Sequence, residues 1–524
     1  MLMEFQSVAD ATPIVADVCI VGGGAAGIAA ALALGDTGCS VCLLESGGMA
    51  VEGATQALYD GTIDGGSGLP GLTASRDRCL GGSTSSWGGG CAPMLDRDYE
   101  AHDADPGSAW GIGQAEMNTY YRQARRTCML DDAESFDSAV ALAQRNDPLS
   151  IGRSRLAYIA GISRPINFGE VHRARLERSP NIRVLLHANL LEFHANDNAS
   201  RVEHASVAGL DGTTASVRAR HFVLACGGIE NARLLLLSNG TMPTGLGNAH
   251  DQVGRHFMDH PRTRIGILAP DRGPRHDRTP GLTERTLGRI SHIRFSDAVL
   301  DGGDLPNTRF HLTFREDAVP EGIEALRGFM QGVRTRHSPL RTTRDLARAL
   351  RHADDCIPAI ARKIAGRSVV TESHIDCEAF FEQRPNPESR VMLGNERDRL
   401  GQRKVRVDWR FADTEVQGFV AAARLFRDEL DKAGIGPLVP DPWLEPHGDI
   451  RSSLAGMCHH MGTTRMDDDP RRGVVDRDCK VHGIDNLYVA GSSVFRNGRC
   501  FWPTFTIVAQ ALRLADHVGK VLAA

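Results

Sequence analysis

The spacing of hydrophobic residues changes twice near the N-terminus. Residues 17–21 end in a continuous apolar run that predicts a short buried parallel strand, and residues 40–44 predict a second strand. Between them, residues 28–34 contain only Ala, Ile and Leu, which predicts a helix. The glycine-rich segment 22–27 separates the first strand from this helix. The order of strand, glycine turn, helix and strand predicts the opening of an α/β domain.

Later segments continue both kinds of pattern. Residues 222–226 predict a strand that leads through a glycine turn into a helix, and residues 487–494 predict a further strand. Residues 503–517 predict a terminal helix with Pro in its first turn. Polar and apolar residues alternate in 309–314 and 405–409, which predicts half-buried antiparallel strands.

These patterns divide the chain into two interleaved parts. We expect a discontinuous first domain from residues 15–95, 180–260 and 450–524, because the strand and glycine-turn segments fall there. Residues 96–179 and 261–449 are expected to form a second domain, an antiparallel sheet with helices that covers the first.

Composition and charge exclude several classes of protein. The 524 residues are 41% hydrophobic and 24% charged, which is typical of a globular chain. The net charge of −5 offers no broad basic field, so no nucleic-acid partner is expected. The 12 cysteines are scattered along a long chain, which predicts reduced thiols and a cytoplasmic location. No metal site is predicted, because neither the lone Cys39–Cys42 pair nor His459–His460 has further ligands at a suitable spacing.

Residues 18–35 carry no charge and resemble a membrane helix or signal core in that respect alone. Acidic residues precede the segment, and it contains five glycines. A buried strand, a turn and a helix explain it better, so no transmembrane segment is predicted.

The glycine turn at 22–27 has the spacing of a dinucleotide-binding loop. Gly22 allows the tight turn, Gly24 lets the backbone approach a pyrophosphate, and Gly27 lets the helix pack close to the strand. Glu45 ends the next strand, where its carboxylate can accept hydrogen bonds from ribose hydroxyls and repel a 2′-phosphate. This motif alone does not choose between NAD and FAD.

A second glycine cluster spans residues 78–90. On physical grounds it predicts a loop whose backbone approaches a flat or phosphorylated ligand closely. The embedded Leu80 and Trp87 argue against a flexible surface loop.

Several blocks of the chain together resemble the glucose–methanol–choline (GMC) oxidoreductases, which are FAD-dependent. The resemblance runs nearly end to end. It rests on GGGAAG with Glu45 and on the blocks at 78–89, 224–235, 253–261, 384–393, 459–466, 474–476, 481–495 and 502–517. It implies an α/β protein with a Rossmann-like FAD-binding domain and a second, antiparallel-sheet α+β substrate domain, and it favours FAD over NAD.

In such enzymes a histidine in an HxxGT context faces flavin N5 and acts as the base. The resemblance assigns that role to His459, with His460 as the alternative. A neutral imidazole with an ordinary pKa of about 6.5 can take the hydroxyl proton of an alcohol, while the carbinol hydride goes to N5. Pro503 and Thr504, at the start of the terminal helix, are expected to stabilise the charge of the reduced flavin.

The resemblance also predicts the cofactor contacts. Leu190 matches a position whose backbone meets the adenine, and Gly491 and Ser492 match a pyrophosphate or ribityl contact. The predicted cofactor-binding residues are Gly22, Gly24, Gly27, Glu45, Arg78, Gly82, Ser83, Ser86, Leu190, Gly491, Ser492, Pro503 and Thr504.

Two positions depart from the family pattern. Trp502 occupies the place of a second His or Asn that usually bonds the substrate oxygen, and an indole N–H can donate but cannot accept. We count Trp502 as a catalytic candidate that holds the oxygen or walls the pocket with Phe501, and Asn497 or Arg499 as alternative polar contacts. Ser86 stands where some relatives carry a flavin-linking His, which predicts non-covalent FAD.

The function expected from this resemblance is oxidation of a primary or secondary alcohol, sugar-like or a natural-product intermediate, to a carbonyl. The electron acceptor is left open between oxygen, a quinone and a protein. Because of Trp502, a redox-neutral lyase or isomerase and a non-catalytic flavin-binding protein stay as alternatives. The arginine-rich segment 324–367 is interpreted as solvated amphipathic helices, an acceptor-docking surface or an anionic-substrate site.

Overall fold

Three sheets and their covering helices make up the described chain. The computed structural model describes residues 1–8, 13–64, 68–100, 109–131, 135–137, 140, 155–268, 289–302, 305–316, 319–335, 339–364, 373–432, 437–500 and 502–524. The strands are β1 (Leu2–Glu4), β2 (Ile14–Val21), β3 (Val41–Leu44), β4 (Gly61–Asp64), β5 (Gly90–Cys91), β6 (Leu156–Ser163), β7 (Ile182–Leu186), β8 (Asn189–Ala195), β9 (Val202–Ala208), β10 (Thr214–Leu224), β11 (Arg262–Leu268), β12 (Arg289–Phe295), β13 (Thr308–Glu316), β14 (Ser373–Phe381), β15 (Arg390–Arg397), β16 (Arg403–Asp408), β17 (Leu438–Pro440) and β18 (Leu487–Val489). The α-helices are α1 (Ala25–Asp36), α2 (Gly53–Gln56), α3 (Gln114–Thr127), α4 (Phe168–Val171), α5 (Arg173–Arg178), α6 (Gly227–Leu237), α7 (Asp297–Asp301), α8 (Glu321–Thr335), α9 (Pro339–Arg351), α10 (Ala353–Ile364), α11 (Asp413–Lys432) and α12 (Thr504–Ala523).

The first sheet carries the glycine turn. Its order is β1-β7-β3-β2-β10-β9-β8, and β18 also pairs with β10. All pairs are parallel except β10–β9 and β9–β8. Residues 18–21 of β2 and all of β3 are buried on both faces, which explains the uninterrupted apolar sequence of these parts. Helices α1 and α12 pack against each other on this sheet. The predicted Rossmann-like α/β fold is confirmed.

The second sheet is antiparallel throughout. Its order is β17-β11-β14-β13-β12-β6-β5. One face packs on α11, where Phe310 of β13 stacks on Phe426 with ring centroids 3.7 Å apart. The opposite face covers the cavity described below. The predicted antiparallel α+β partner of the first sheet is therefore present.

Two further segments pack on the core of the first sheet. A small sheet of β15, β16 and β4 buries Val391, Val405 and Val407 there. Helix α3 packs along α12, and Tyr121 stacks on Phe505 at 5.2 Å. The two large sheets otherwise have separate cores. The predicted domain boundaries at residues 96, 180, 261 and 450 stay predictions.

The arginine-rich segment forms helices α8, α9 and α10. In the described part, Arg348 pairs with Glu321 at 3.0 Å, while Leu350 and Ile357 are exposed. The side chains of Arg334, Arg341 and Ile364 lie outside the described residues, as does all of His337.

No helix in the described ranges has the length and apolar character that crossing a membrane requires. The twelve cysteines all fall in described parts of the chain, and none forms a disulfide. The cytoplasmic location stays a prediction from the cysteine pattern.

Candidate functional site

A cavity of about 690 Å³ lies between the carboxyl edge of the first sheet and the second sheet. It is lined from both sides, by Leu44 and Ala225 of the first sheet region and by Ile290 and Arg309 of the second. The predicted site residues that line it are Gly22, Gly24, Glu45, Arg78, Gly82, Ser83, Ser86, Leu190, His459, Gly491, Ser492, Trp502, Pro503 and Thr504. Gly27 alone of the predicted set does not line the cavity.

The glycine turn has the local geometry that its sequence predicts. Gly22 has φ of +105°, and a Cβ there would lie 2.6 Å from the Ala225 carbonyl oxygen. A Cβ on Gly24 would meet only open space, so the backbone is bare toward the cavity. A Cβ on Gly27 would lie 1.9 Å from the Gly22 carbonyl oxygen. Gly27 thus serves the close packing of α1 on β2.

Glu45 is a buried carboxylate at the end of β3. Its Oε2 accepts a hydrogen bond from the Gly23 amide at 2.8 Å, and its Oε1 accepts one from the Gly47 amide at 2.8 Å. Burial raises its pKa. Oε1 also accepts a longer hydrogen bond from Ser46 Oγ at 3.4 Å, whereas Oε2 keeps a second acceptor position for a ribose hydroxyl.

Arginines surround a buried carboxylate at this end of the cavity. Glu230 contacts Arg76 at 2.9 Å, Arg233 at 3.2 Å and Arg78 at 3.4 Å. Burial raises the pKa of Glu230, but these cations outweigh burial and bring it down to about 2. Arg78 Nε is buried without a hydrogen-bond partner, so a donor is left for a ligand.

The second glycine cluster lies directly on the first. A Cβ on Gly82 would come within 3.0 Å of Gly24 Cα. Ser83 lines the cavity, and Ser86 Oγ donates to Asp77 Oδ2 at 2.5 Å. The predicted close approach of this loop to a ligand is therefore geometrically possible here.

The C-terminal segments close the other end. Gly491 has φ of +105°, and Ser492 Oγ donates to the His460 carbonyl at 2.7 Å. Helix α12 begins at Thr504, one residue after the predicted start at Pro503, and its first turn lines the cavity at Thr504 and Ile507. The unpaired N–H groups of that turn present the positive end of the helix dipole.

The backbone that carries His459 is held by one buried carboxylate. Asp259 Oδ1 accepts hydrogen bonds from the amides of His459 at 2.9 Å and His260 at 2.6 Å, and Oδ2 accepts one from Cys458 at 3.0 Å. Burial raises the pKa of Asp259 to about 6, against the lowering effect of these donors. Asp259 fixes where the His459 ring can lie.

A chain of hydrogen bonds sets the tautomer of His459. His260 Nε2 lies 2.8 Å from the Gly498 carbonyl oxygen, which can only accept, so His260 carries its proton on Nε2. His260 Nδ1 lies 2.8 Å from His459 Nδ1 and must then accept from it. With Nδ1 protonated, neutral His459 has its lone pair on Nε2.

His459 is held in the neutral form. Burial lowers its pKa well below the ordinary value, and the repulsion that a protonated His459 would meet from His260, Arg309 and His460 lowers it further. Burial likewise lowers the pKa of His460 to about 3. The His460 ring lies beside Phe257, with centroids 5.7 Å apart, and it also lines the cavity.

Trp502 is wedged against the second sheet. A Cβ on Gly90 would lie 2.5 Å from its Cδ1, and one on Gly161 would lie 2.7 Å from its Cζ3. His292 meets the ring edge-on at 5.3 Å. The indole fills a slot that two glycines leave open. The neighbouring Phe501 lies outside the described residues.

The two alternative polar contacts lie elsewhere, so that part of the sequence-based expectation is wrong. Asn497 is fully buried, and its Oδ1 accepts from Trp110 Nε1 at 2.9 Å. The Arg499 guanidinium lies between Asp98 at 3.7 Å and Glu382 at 3.8 Å. Neither side chain lines the cavity.

Sequence reasoning missed two site residues. His260 lies in the quoted block 253–261, whose Asp-His pair was the available signal. Arg309 was taken only as part of an alternating strand, and nothing local distinguishes it from a solvent-facing arginine.

The residues present fit an FAD molecule. The open space at Gly24 and Gly491, the orphaned Arg78 Nε and the acceptor positions of Glu45 suit a pyrophosphate and a ribose. Trp502, Pro503 and His459 line the part of the same cavity that meets the second sheet.

Comparison with known proteins agrees with this geometry. Residues 385–511 match the family model described as GMC oxidoreductase. Paromamine 6'-oxidase of Streptomyces fradiae is 25% identical over 557 residues, covering 96% of this chain and 91% of that protein. The solved structure of pyridoxine 4-oxidase from Mesorbium loti has a TM-score of 0.60 at 18% identity, covering 96% of this chain and 99% of the other. A formate oxidase variant from Aspergillus oryzae RIB40, studied for its FAD modification, has a TM-score of 0.59 at 16% identity, covering 98% and 99%. At these identities the two solved structures show a shared fold.

Proposed function

Because the chain belongs to the GMC oxidoreductase family, we propose that it uses FAD to oxidise a primary or secondary alcohol to a carbonyl compound, with His459 as the base. One observation supports this most. His459 lines the same cavity as the glycine turn, and its contact with His260 leaves Nε2 as the unprotonated nitrogen.

The chemistry divides between cofactor and protein. Bound FAD supplies the hydride acceptor. His459 Nε2 accepts the hydroxyl proton. General-base catalysis of this kind raises the reaction rate by ~10²- to 10⁴-fold. The low pKa of His459 keeps this nitrogen free at neutral pH. The first turn of α12, at Thr504, offers N–H groups to negative charge that develops at the cavity wall.

We propose that the FAD is held without a covalent bond. Ser86 occupies the position of the flavin-linking His of some relatives, and its hydroxyl is taken up by Asp77. Acid precipitation should leave a colourless pellet and a yellow supernatant. A yellow pellet after unfolding would instead show a covalent link.

Two relatives support the proposed substrate class. Paromamine 6'-oxidase and pyridoxine 4-oxidase are similar to this chain. We propose a sugar-like or natural-product alcohol as substrate, and oxygen, a quinone or a protein as the electron acceptor.

Anaerobic flavin reduction tests the proposal. Purified holoenzyme is mixed with a panel of primary and secondary alcohols, and bleaching of the visible flavin band is followed. At least one alcohol should bleach it, and His459→Ala should slow bleaching by ~10²-fold or more while FAD stays bound. His250→Ala, at an exposed histidine away from the cavity, is the matched control and should leave the rate unchanged.

The other outcomes identify the rival functions. Turnover with the flavin fully oxidised throughout would indicate a redox-neutral enzyme, which the unusual Trp502 makes the second candidate. No bleaching and no turnover with the whole panel would indicate a non-catalytic flavin-binding protein. An unchanged rate in His459→Ala would remove this residue from its role.

A further inference from the structure

Arg309 is a buried cation without a counter-ion. It is 1% exposed, on the central strand β13 of the second sheet. Its Nε and Nη1 are buried without any hydrogen-bond partner. Across the described ranges, no carboxylate forms an ion pair with it. The other three arginines that line the cavity are paired: Arg76, Arg78 and Arg233 share Glu230.

Two aromatic rings hold the guanidinium in place. Its central carbon lies 4.5 Å from the centroid of Phe380 and 4.7 Å from that of Trp502. Such contacts orient a guanidinium plane and favour its charge, but they satisfy none of its N–H donors. The side chain lines the cavity, so the guanidinium lies at the edge of the space that a ligand enters.

The surroundings of Arg309 carry no compensating negative charge. Burial lowers the pKa of Arg309 to about 10, so the group stays cationic at neutral pH. Its charge contributes to the lowered pKa of three nearby histidines, His459, His260 and His292. This side of the cavity is therefore electropositive, and an unpaired buried charge is costly for the folded state. A buried, unpaired charge that a protein retains although it destabilises the fold is typical of a ligand-binding site.

We propose that Arg309 binds a carboxylate of the substrate, so that the enzyme acts on alcohols that also carry a carboxylate group. This inference rests on the proposed alcohol oxidation and specifies its substrate class. A carboxylate fits better than a phosphate, because its single charge and planar shape match one guanidinium. The other cavity-lining arginines already form the Glu230 cluster.

Binding of the carboxylate also connects specificity to catalysis. A negative charge on Arg309 cancels the repulsion that helps to lower the pKa of His459. His459 then becomes a stronger base in the complex than in the free enzyme. An acidic substrate thus improves the group that takes its hydroxyl proton, whereas a neutral alcohol of equal size does not.

Binding measurements on the holoenzyme test this without any turnover. Acetate and benzoate, which have no alcohol to oxidise, are titrated against the visible flavin spectrum, with acetamide and benzamide as neutral matches. We expect saturable spectral changes with the carboxylates alone. Arg309→Gln should weaken carboxylate binding by about 100-fold.

Arg315→Gln is the matched control. Arg315 lies on the same strand and loses the same charge, but it is already paired with Asp376 at 3.0 Å and is half exposed. Its variant should bind the carboxylates as the wild type does. Arg309→Lys, which keeps the charge but not the planar fork, should fall between wild type and Arg309→Gln.

Thermal unfolding separates a ligand site from a structural role. The ligand-free Tm of Arg309→Gln serves only as that variant's own reference, because the substitution removes an unpaired buried cation together with its two ring contacts. Carboxylate should raise the Tm of wild type and leave that of Arg309→Gln unchanged. An equal rise in Tm for both proteins would mean that carboxylate binds elsewhere, and would overturn the inference.

A second arm compares anaerobic flavin reduction by a hydroxy acid and by its amide. The acid should have the higher kcat/KM, and Arg309→Gln should lower the value for the acid only. Equal loss for both would mean that Arg309 acts on the cofactor, which contradicts the inference. Carboxylate binding without reduction by any alcohol would refute alcohol oxidation alone. Reduction by neutral alcohols with no carboxylate binding would refute the Arg309 site alone.

Discussion

The protonation of His459 is decided by atoms that lie outside the cavity. The Gly498 carbonyl requires a proton on His260 Nε2, and this makes His260 Nδ1 the acceptor for His459. The Gly498 carbonyl oxygen therefore determines, through the neutral His260 ring, which nitrogen of the His459 ring is unprotonated. In the proposed mechanism His260 is a positioning residue, since it would act on substrate only through His459.

Replacement of His260 tests this relay. His260→Phe keeps a ring but removes the acceptor, so the His459 tautomer is no longer fixed, and kcat should fall by about 10²-fold with little change in KM. His260→Asn retains an acceptor oxygen and should recover most of that loss. Stopped-flow flavin reduction gives both values. Equal loss in both variants would mean that His260 only fills space.

Trp502 shapes the cavity from the protein side. Its ring contacts Arg309, and slots left by Gly90 and Gly161 receive it. Trp502→His should therefore change substrate range more than flavin affinity. We expect kcat/KM for bulky alcohols to rise about tenfold relative to small ones. The measurement is a kcat/KM panel beside a flavin titration.

A Trp502→His variant that loses FAD but keeps its relative preferences among alcohols would contradict this prediction. Gly161→Ala is a useful companion, because its added methyl group would lie 2.7 Å from Trp502 Cζ3 and 2.8 Å from the Cys91 carbonyl. It should displace the indole without removing it.

Among the elements, the segment 457–459 depends on a single anchor. The Asp259 carboxylate is fully buried and accepts from the amides of His260, Cys458 and His459. Asp259→Ala leaves these N–H groups without an acceptor, which should cost about 3 kcal/mol or more in the free energy of unfolding. Flavin reduction should slow as well, because the His459 ring loses its fixed position.

Asp259→Asn is the matched comparison for that prediction. The amide retains one acceptor oxygen and the same shape, so it should lose clearly less stability than Ala. Denaturant unfolding monitored by fluorescence gives the free energies. An Ala variant as stable as the wild type would show that water replaces the carboxylate.

The elements differ in how far sequence alone predicts them. The β2–α1–β3 unit is local, so Gly22, Gly27 and Glu45 could be placed from spacing and apolar runs, although α1 is longer at both ends than the predicted 28–34. The start of α12 at Thr504 was likewise predictable, because Pro503 fits the beginning of a helix.

The burial of Arg309 could not be predicted from the local sequence. Alternation in β13 predicts that Phe310 faces a core and Arg309 the opposite side, and Phe310 is indeed fully buried. The opposite side would be solvent in an isolated sheet. Here Trp502, far away in the sequence, covers it, and Arg309 is only 1% exposed. The His260–His459 contact joins residues 199 positions apart and has no local signature either.

At the scale of the whole molecule, the two walls of the cavity come from two different sheets. The glycine turn comes from the first sheet, whereas Arg309 and the two glycines that pack against the Trp502 ring come from the second. Binding of FAD should therefore stabilise the contact between the sheets as well as each local loop. The same junction holds several histidines in neutral form, which makes its stability depend on pH.

Acid should destabilise the protein between pH 7 and pH 5. Burial lowers the pKa of His256 to about 3, of His260 to about 4 and of His460 to about 3, and it holds those of His292 and His459 well below the ordinary value. In the unfolded chain these histidines titrate near pH ~6.5, so below that pH the unfolded state binds more protons. Each contributes a loss of about 2 kcal/mol by pH 5.

Buried carboxyl groups act in the opposite direction but are fewer. Burial raises the pKa of Asp98 and Asp259 to about 6 and that of Glu415 to about 7, so the folded state gains protons there on acidification. The histidines outweigh them, and thermal unfolding should show a clearly lower Tm at pH 5 than at pH 7. His256→Asn removes one such histidine outside the cavity at a φ of 59°, which Asn tolerates, and its Tm should fall less on acidification. An equal or higher wild-type Tm at pH 5 would mean that these rings are already protonated in the folded protein, which would also contradict the neutral His260 through which His459 is oriented.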